Sequence, residues 1–168
     1  GPTRAIGRIG QALNFDGVDD YVDAGNPSSL QITGSLTISA WVKADAFPGI
    51  DDNHIVTKSA NTGTRAYKFN ATRDNAVEQF YIAVSDDGIG TARRYTATTI
   101  TANQWYHVVG VYNTAAQTLD IYLNGTLNNG TLAGVAVPSS IFNSGENVQI
   151  GSKASPVAGD YFDGLIDD

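Results

Sequence analysis

Residues 105–125 constrain the fold of this chain more than any other stretch. They read Trp-Tyr-His-Val-Val-Gly-Val-Tyr, then Asn-Thr-Ala-Ala-Gln, then Thr-Leu-Asp-Ile-Tyr-Leu-Asn-Gly. Two runs rich in β-branched and aromatic residues are joined by a short polar break. They are closed by Asn124-Gly125, the pair that tolerates the positive φ angles of a type I′ hairpin turn. In the second run Leu119, Ile121 and Leu123 alternate with Asp120, Tyr122 and Asn124, so one face is buried and the other is wet. In the first run both faces are apolar: Trp105, Val109 and Val111 against Tyr106, Val108 and Tyr112. Such a strand sits centrally in a sheet that is covered on both sides or carries something on its outer face.

The rest of the chain repeats this pattern. Turn signals recur about every 8–12 residues, the spacing of an all-β sandwich. Strands are predicted at 11–15, 21–23, 36–43, 54–58, 67–70, 79–85, 94–98, 106–112, 118–123, 147–151 and 164–167. Asp16-Gly17, Asp86-Asp87-Gly88, Asn129-Gly130 and similar turn pairs separate them. Residues 71–77 are expected to form a turn of helix. No segment sustains a 3.6-residue period, and there is no linker or repeat.

At 168 residues the chain fits one domain, large enough to bury a core without staples. It has no cysteine, so neither a disulfide framework nor a thiolate metal site is available. Its net charge is −7, and the ten Lys and Arg are scattered, which argues against nucleic-acid binding. No apolar run approaches the ~20 residues of a membrane span. Gly1-Pro2 reads as a protease-cleavage scar, with residues 1–4 expected to be a disordered start before a domain at 5–168. Acidity together with abundant Asp, Asn, Gly and Thr fits an extracellular or cell-surface module.

Six ordered segments carry a family resemblance. They are Ala-Leu-Asn-Phe-Asp-Gly-Val-Asp-Asp-Tyr-Val at 12–22, Leu-Thr-Ile-Ser-Ala-Trp-Val-Lys at 36–43, Gln-Trp-Tyr-His-Val-Val-Gly-Val-Tyr at 104–112, Ile-Tyr-Leu-Asn-Gly at 121–125, Val-Gln-Ile-Gly at 148–151 and Phe-Asp-Gly-Leu-Ile-Asp-Asp at 162–168. In this order they resemble the LamG-like jelly-roll domains of the concanavalin A-like lectin/glucanase superfamily. The resemblance implies an all-β, two-sheet antiparallel jelly-roll sandwich. In such domains the Ile-Asp-Asp segment usually runs on into a last strand, so the stop at Asp168 suggests a missing strand. The superfold hosts enzymes, lectins, adhesion modules and spacers, so it does not fix function.

The resemblance further implies a calcium ion tying the first strand to the last. Carried over, Asp16 and Asp167 would supply side chains, with Gly17 and Asp168 contributing. Ca²⁺ takes 6–8 oxygens, which acidic turns can offer. The same residues also read as a hairpin turn and a solvated acidic end, and both readings stand on the sequence alone.

Sugar recognition calls for ring faces against which a pyranose stacks, beside groups that bond its hydroxyls. The expected surface combines the 47–54 loop, with Asp51 and Asp52, and Arg65, Tyr67, Arg93 and Tyr95. Tyr81 and Tyr161 are further candidates. A solvated polar loop and outward-facing tyrosines chosen for β propensity account for the same residues. Trp41 and Trp105 are expected in or near the core, and His107 as a structural histidine. Glucanases of this superfold use two glutamates close together on one strand. Here Glu78 and Glu146 are far apart, which argues against hydrolysis. The resulting expectation is a non-catalytic binding module of a larger secreted or surface protein, recognising glycan or a protein partner. A structural spacer is the alternative.

Overall fold

Alternating burial along successive strands builds two antiparallel sheets of seven strands each. The computed structural model describes residues 1–47, 53–74, 77–157 and 159–168. In chain order the strands begin β1 (Thr3–Ile6), β2 (Gln11–Asp16), β3 (Val22–Gly25), β4 (Leu36–Ala44), β5 (Asn53–Lys58), β6 (Tyr67–Asp74) and β7 (Val77–Val84). They continue β8 (Ala92–Thr96), β9 (Tyr106–Asn113), β10 (Thr118–Leu123), β11 (Thr126–Leu127), β12 (Asn129–Gly134), β13 (Val148–Ile150) and β14 (Asp163–Asp167). Sheet A runs β1-β2-β14-β4-β9-β10-β11, and sheet B runs β12-β8-β7-β6-β5-β13-β3. The all-β two-sheet sandwich is the architecture the sequence implies.

The core lies between the sheets. From sheet A come Leu36, Ile38, Ala40 and Val42 of β4, Tyr106, Val108 and Tyr112 of β9, and Leu119 and Ile121 of β10. From sheet B come Ile55, Tyr67, Phe69, Phe80, Ile82 and Val84. Period-two alternation sends each neighbouring side chain to the outer face of its sheet. Gly110 sits mid-strand because the opposing sheet approaches closely: a Cβ there would lie 2.7 Å from Ile82 Cδ1. Asn124 (φ 51°) and Gly125 (φ 81°) form the two-residue turn between β10 and β11, as Asn-Gly predicts.

Two expectations are corrected. Residues 71–74 continue β6, and Val77 opens β7, so no helical turn forms there. Thr3 and Arg4 are not disordered: they pair with Asn14 and Leu13 as part of β1. The closing segment forms β14 inside sheet A, flanked by β2 and β4. No helix among the described residues is long and apolar enough to cross a membrane.

Candidate functional site

A concavity opens on the outer face of sheet A. It is a groove of about 650 Å³ lined by Arg8, Trp41, Gln104, Trp105, His107, Asn124 and Gly125. Two of its lining residues, Trp41 and His107, belong to a cross-strand row. Asp167 on β14 stands opposite Trp41 on β4, and Trp41 stands opposite His107 on β9. Residues directly opposite share a face, so their side chains meet. The Trp41 and His107 rings lie 5.1 Å apart, and His107 Nε2 is 3.1 Å from the Ser39 hydroxyl. Asn124 fixes the far wall: its Oδ1 accepts the His107 amide at 3.0 Å, and its own amide donates to the His107 carbonyl at 2.7 Å.

The near wall is the turn between β1 and β2. Buried Asp167, 4% exposed, accepts the Ile9 amide on Oδ2 at 2.8 Å. This anchor holds the turn over the row and brings the Arg8 guanidinium 5.3 Å from the Trp41 ring centre, within cation–π range. Both tryptophans of the chain therefore stand half-buried at the groove rather than in the core. The signal was present in the sequence. In Leu36–Lys43 the core residues Leu36, Ile38, Ala40 and Val42 put Thr37, Ser39, Trp41 and Lys43 on the other face. Arg8 has no comparable sequence signal.

The acidic residues take a different arrangement from the one the resemblance implies. Asp16 pairs with Asp163, whereas Ile166 pairs with Leu13. Asp167 is therefore four residues along β14 from the partner of Asp16, about 13 Å at ~3.3 Å per residue. Asp16 and Asp167 cannot share an ion, and Asp168 is the exposed residue after Asp167. Gly17, at φ 71°, donates its amide to the Phe162 carbonyl. Asp16 instead gathers with Asp19 and Asp20, whose ligand oxygens lie within 4.8 Å of one another and could hold a metal ion. Asp16 Oδ1 also accepts the Val18 and Asp19 amides, which hold its carboxyl below the usual carboxylate range. Burial, then the charges of Asp45 and Asp16, push the Asp163 carboxyl up.

The outer face of sheet B receives part of the expected sugar surface. Arg65 and Arg93 line one small pocket there, with Tyr81 beside it and Tyr95 packed on Tyr81 at 5.3 Å. Tyr67 does not join them. It lies on the opposite face of β6, 3% exposed in the core, where burial pushes its phenol up to about 12. Asp51 and Asp52 lie outside the described residues. The same face carries a buried polar chain. Thr57 Oγ1 is 3.2 Å from His54 Nδ1 and donates to Asn70 Oδ1 at 3.4 Å, while Asn70 Nδ2 donates to the Tyr81 hydroxyl at 2.8 Å. Asn70, the first residue of an Asn-x-Thr triplet, has no exposed surface and cannot accept a glycan in this fold.

At the end of that chain His54 Nε2 lies 3.6 Å from Asp160 Oδ1, which also faces Lys153 Nζ at 3.1 Å. Burial pushes the Asp160 carboxyl up, but His54, the Val157 amide and Lys153 outweigh it and hold it at about 2. A folded-state value below the ordinary 3.8 stabilises the fold above pH ~3.8, and that contribution is lost as pH falls toward 2. At ~1.36 kcal/mol per unit the contribution is about 2 kcal/mol. Urea unfolding of Asp160→Asn should show that deficit at pH 6, and the deficit should shrink between pH 4 and pH 2. A deficit constant across that window would refute the assignment.

Residues 16–168 match the family described as the concanavalin A-like lectin/glucanases superfamily. The chain belongs to it. No curated protein matches the sequence. Among solved structures, a heptameric SAP-like pentraxin from Limulus polyphemus aligns with TM-score 0.65 at 13% identity, over 94% of this chain and 73% of its own. A putative carbohydrate-binding protein from Bacteroides ovatus aligns with TM-score 0.65 at 20% identity, over 92% of this chain. This chain spans 41% of that protein. The CBM40 of a Ruminococcus gnavus IT-sialidase, bound to α2,3 sialyllactose, gives TM-score 0.65 at 14% identity, over 93% of this chain and 85% of its own. At these identities the likeness is one of fold.

The superfamily's name spans lectins and glucanases. Glu78 is on β7, and Glu146 precedes β13. Three inter-strand steps separate β7 from β13 in sheet B, roughly 14 Å at ~4.8 Å each. Glycosidases need carboxyl pairs at about 5–5.5 Å for retention or ~6.5–9.5 Å for inversion. These two glutamates do not form such a pair.

Proposed function

We propose that this concanavalin A-like domain is a non-catalytic glycan-binding module that works through the sheet A groove. One observation carries the reading: both tryptophans of the chain flank a groove whose remaining lining is Arg8, Gln104, His107, Asn124 and Gly125. Ring faces beside amide, imidazole and guanidinium groups are what a sugar's apolar face and hydroxyls require. The carbohydrate-binding neighbours from Bacteroides and Ruminococcus share the fold and support this reading. They also support an extracellular or surface setting, with further domains in a larger chain. A shallow groove replaces only part of a sugar's hydration, so single-site affinity is low and repeated domains would bind by avidity.

A glycan array probed with a multivalent form of the domain tests the reading. Binding to a defined set of saccharides, accompanied by a change in tryptophan fluorescence, is the expected result. An array without signal gives precedence to a spacer or assembly role. Incubation with β-glucans should release no reducing ends. Turnover lost in Glu78→Gln would show that the domain is an enzyme.

Calcium, where this domain binds it, has its side-chain ligands at Asp16, Asp19 and Asp20 and not at Asp167. The acids Asp163 and Asp16 face each other across β2 and β14, and a cation there would relieve their repulsion. With Ca²⁺ at a hundred-fold excess over its dissociation constant, mass action adds about 2.7 kcal/mol to stability. EDTA should then lower the Tm of the wild type and leave that of Asp19→Ala unchanged. Identical wild-type melting curves with calcium and with EDTA would remove the ion from this reading.

A further inference from the structure

We propose that the sheet A groove selects saccharides that carry a carboxylate, with the Arg8 guanidinium as its receptor. The inference rests on the glycan-binding reading and deepens it. The lining has spent its side-chain acceptors and kept its donors. Asn124 Oδ1 accepts the His107 amide at 3.0 Å. A backbone N–H can only donate, so this contact orients the side-chain amide and leaves Asn124 Nδ2 over. Gln104 Oε1 accepts the Tyr106 hydroxyl at 2.8 Å, while that hydroxyl accepts the Thr101 amide at 3.0 Å. The single hydroxyl proton therefore goes to Gln104, and Gln104 Nε2 is left over as well.

The other groups extend this bias. The Arg8 guanidinium lies 5.3 Å from the Trp41 ring centre and has no ion pair or hydrogen bond among the described residues. The indole N–H groups of Trp41 and Trp105 have no partner among those residues either. Only His107 can serve both ways. Its Nε2 is taken by the Ser39 hydroxyl at 3.1 Å, and its other ring nitrogen donates in the tautomer where Ser39 is the donor. Among the described residues no carboxylate lines the groove. Asp167, beneath the turn, is 4% exposed with Oδ2 committed to the Ile9 amide, and it makes no ion pair with Arg8. In a chain of net charge −7, an unpaired arginine held over a tryptophan is a local reversal of sign.

Donor and acceptor balance narrows the ligand. A sugar hydroxyl both donates and accepts, so side chains that mainly donate leave the protons of a neutral sugar unmatched. An ionised carboxylate only accepts, through two oxygens. The planar arginine fork meets both oxygens at once with charge-assisted bonds. Arg8 is the only Lys or Arg of the lining, and one guanidinium matches one carboxylate. The groove, at about 650 Å³, falls within the ~300–1,000 Å³ of pockets that enclose a small molecule. A sugar ring against the tryptophans and its acid at Arg8 fit there together.

The test is an array of uronic acids and other sugar acids, each beside its carboxyl-reduced form and a sulfate ester of the same neutral sugar. The whole domain is applied in multivalent form, and each binder is then titrated by tryptophan fluorescence. An acid should bind about tenfold or more tighter than its reduced form, because hydrogen bonds to charged groups are the stronger class. Arg8→Gln should remove that margin. Arg8→Lys should restore only part of it, since an ammonium lacks the fork. Arg8 is exposed on its turn, so both variants should fold, which circular dichroism checks. Reduced sugars that bind as tightly as their acids, or a margin that survives Arg8→Gln, would overturn this proposal and leave the glycan reading standing. Sulfate esters preferred over carboxylates would overturn the carboxylate assignment. An array with no binder of any kind would overturn both readings together.

Discussion

Trp105→Ala and Trp41→Ala should each weaken saccharide binding by about thirty-fold or more while leaving the fold intact. Aromatic anchors at the centre of a binding surface cost 2 kcal/mol or more when truncated, and 1.4 kcal/mol is a factor of ten. Both rings are half-buried on the outer face of sheet A, away from the core between the sheets, so truncation opens no cavity. The Tm should fall by only a few degrees. The readout is internal, because the chain has no other tryptophan. Ligand titration of the wild type reports through both rings, and that of each single variant through the ring that remains. Tight binding retained by both variants would place recognition on another surface.

Sequence periodicity determines strands well and sites poorly here. The predicted strands from 11–15 to 164–167 each correspond to an observed strand within a few residues, because burial alternates along them. The strands it missed carry little apolar content: β1 and β11 are mostly exposed, and β12 is half exposed with no buried residue. Residues 71–74 lack a clear alternation of their own, and their conformation follows from four paired positions with β7. Faces were harder to assign. Sheet B is buried on both sides along β7, where Phe80 and Ile82 enter the core and Tyr81 and Ala83 pack on Tyr95 outside. Alternation along 67–70 therefore could not say that Tyr67 is the inward residue. The Asp16–Asp167 pairing failed for another reason. Neighbouring strands were implied correctly, but antiparallel register places those residues at opposite ends of the pair.

Gly164→Ala should be strongly destabilising and should impair stability and binding together. Gly164 has φ +133°, a conformation that side chains rarely adopt. A Cβ there would lie 2.2 Å from the Lys43 carbonyl oxygen and 2.9 Å from Ala44 Cα. Both are backbone atoms of or beside β4, so no side chain can swing aside. Backbone strain of ~1–3 kcal/mol and overpacking of ~1–3 kcal/mol together predict a loss of about 3 kcal/mol or more. For a chain of this length that lowers the Tm by roughly 6–12 °C. The consequence reaches the groove because Asp167, on the same short strand, anchors the turn that carries Arg8. Asp167→Asn separates the two effects. It keeps β14 seated but replaces a charged acceptor of the Ile9 amide with a weaker one, so it should reduce saccharide binding more than stability. Urea denaturation and fluorescence titration of both variants give the comparison. If Gly164→Ala melts with the wild type, β14 does not need a glycine at that approach. If Asp167→Asn binds as the wild type does, the turn is held without that carboxylate and the groove does not depend on the closing strand.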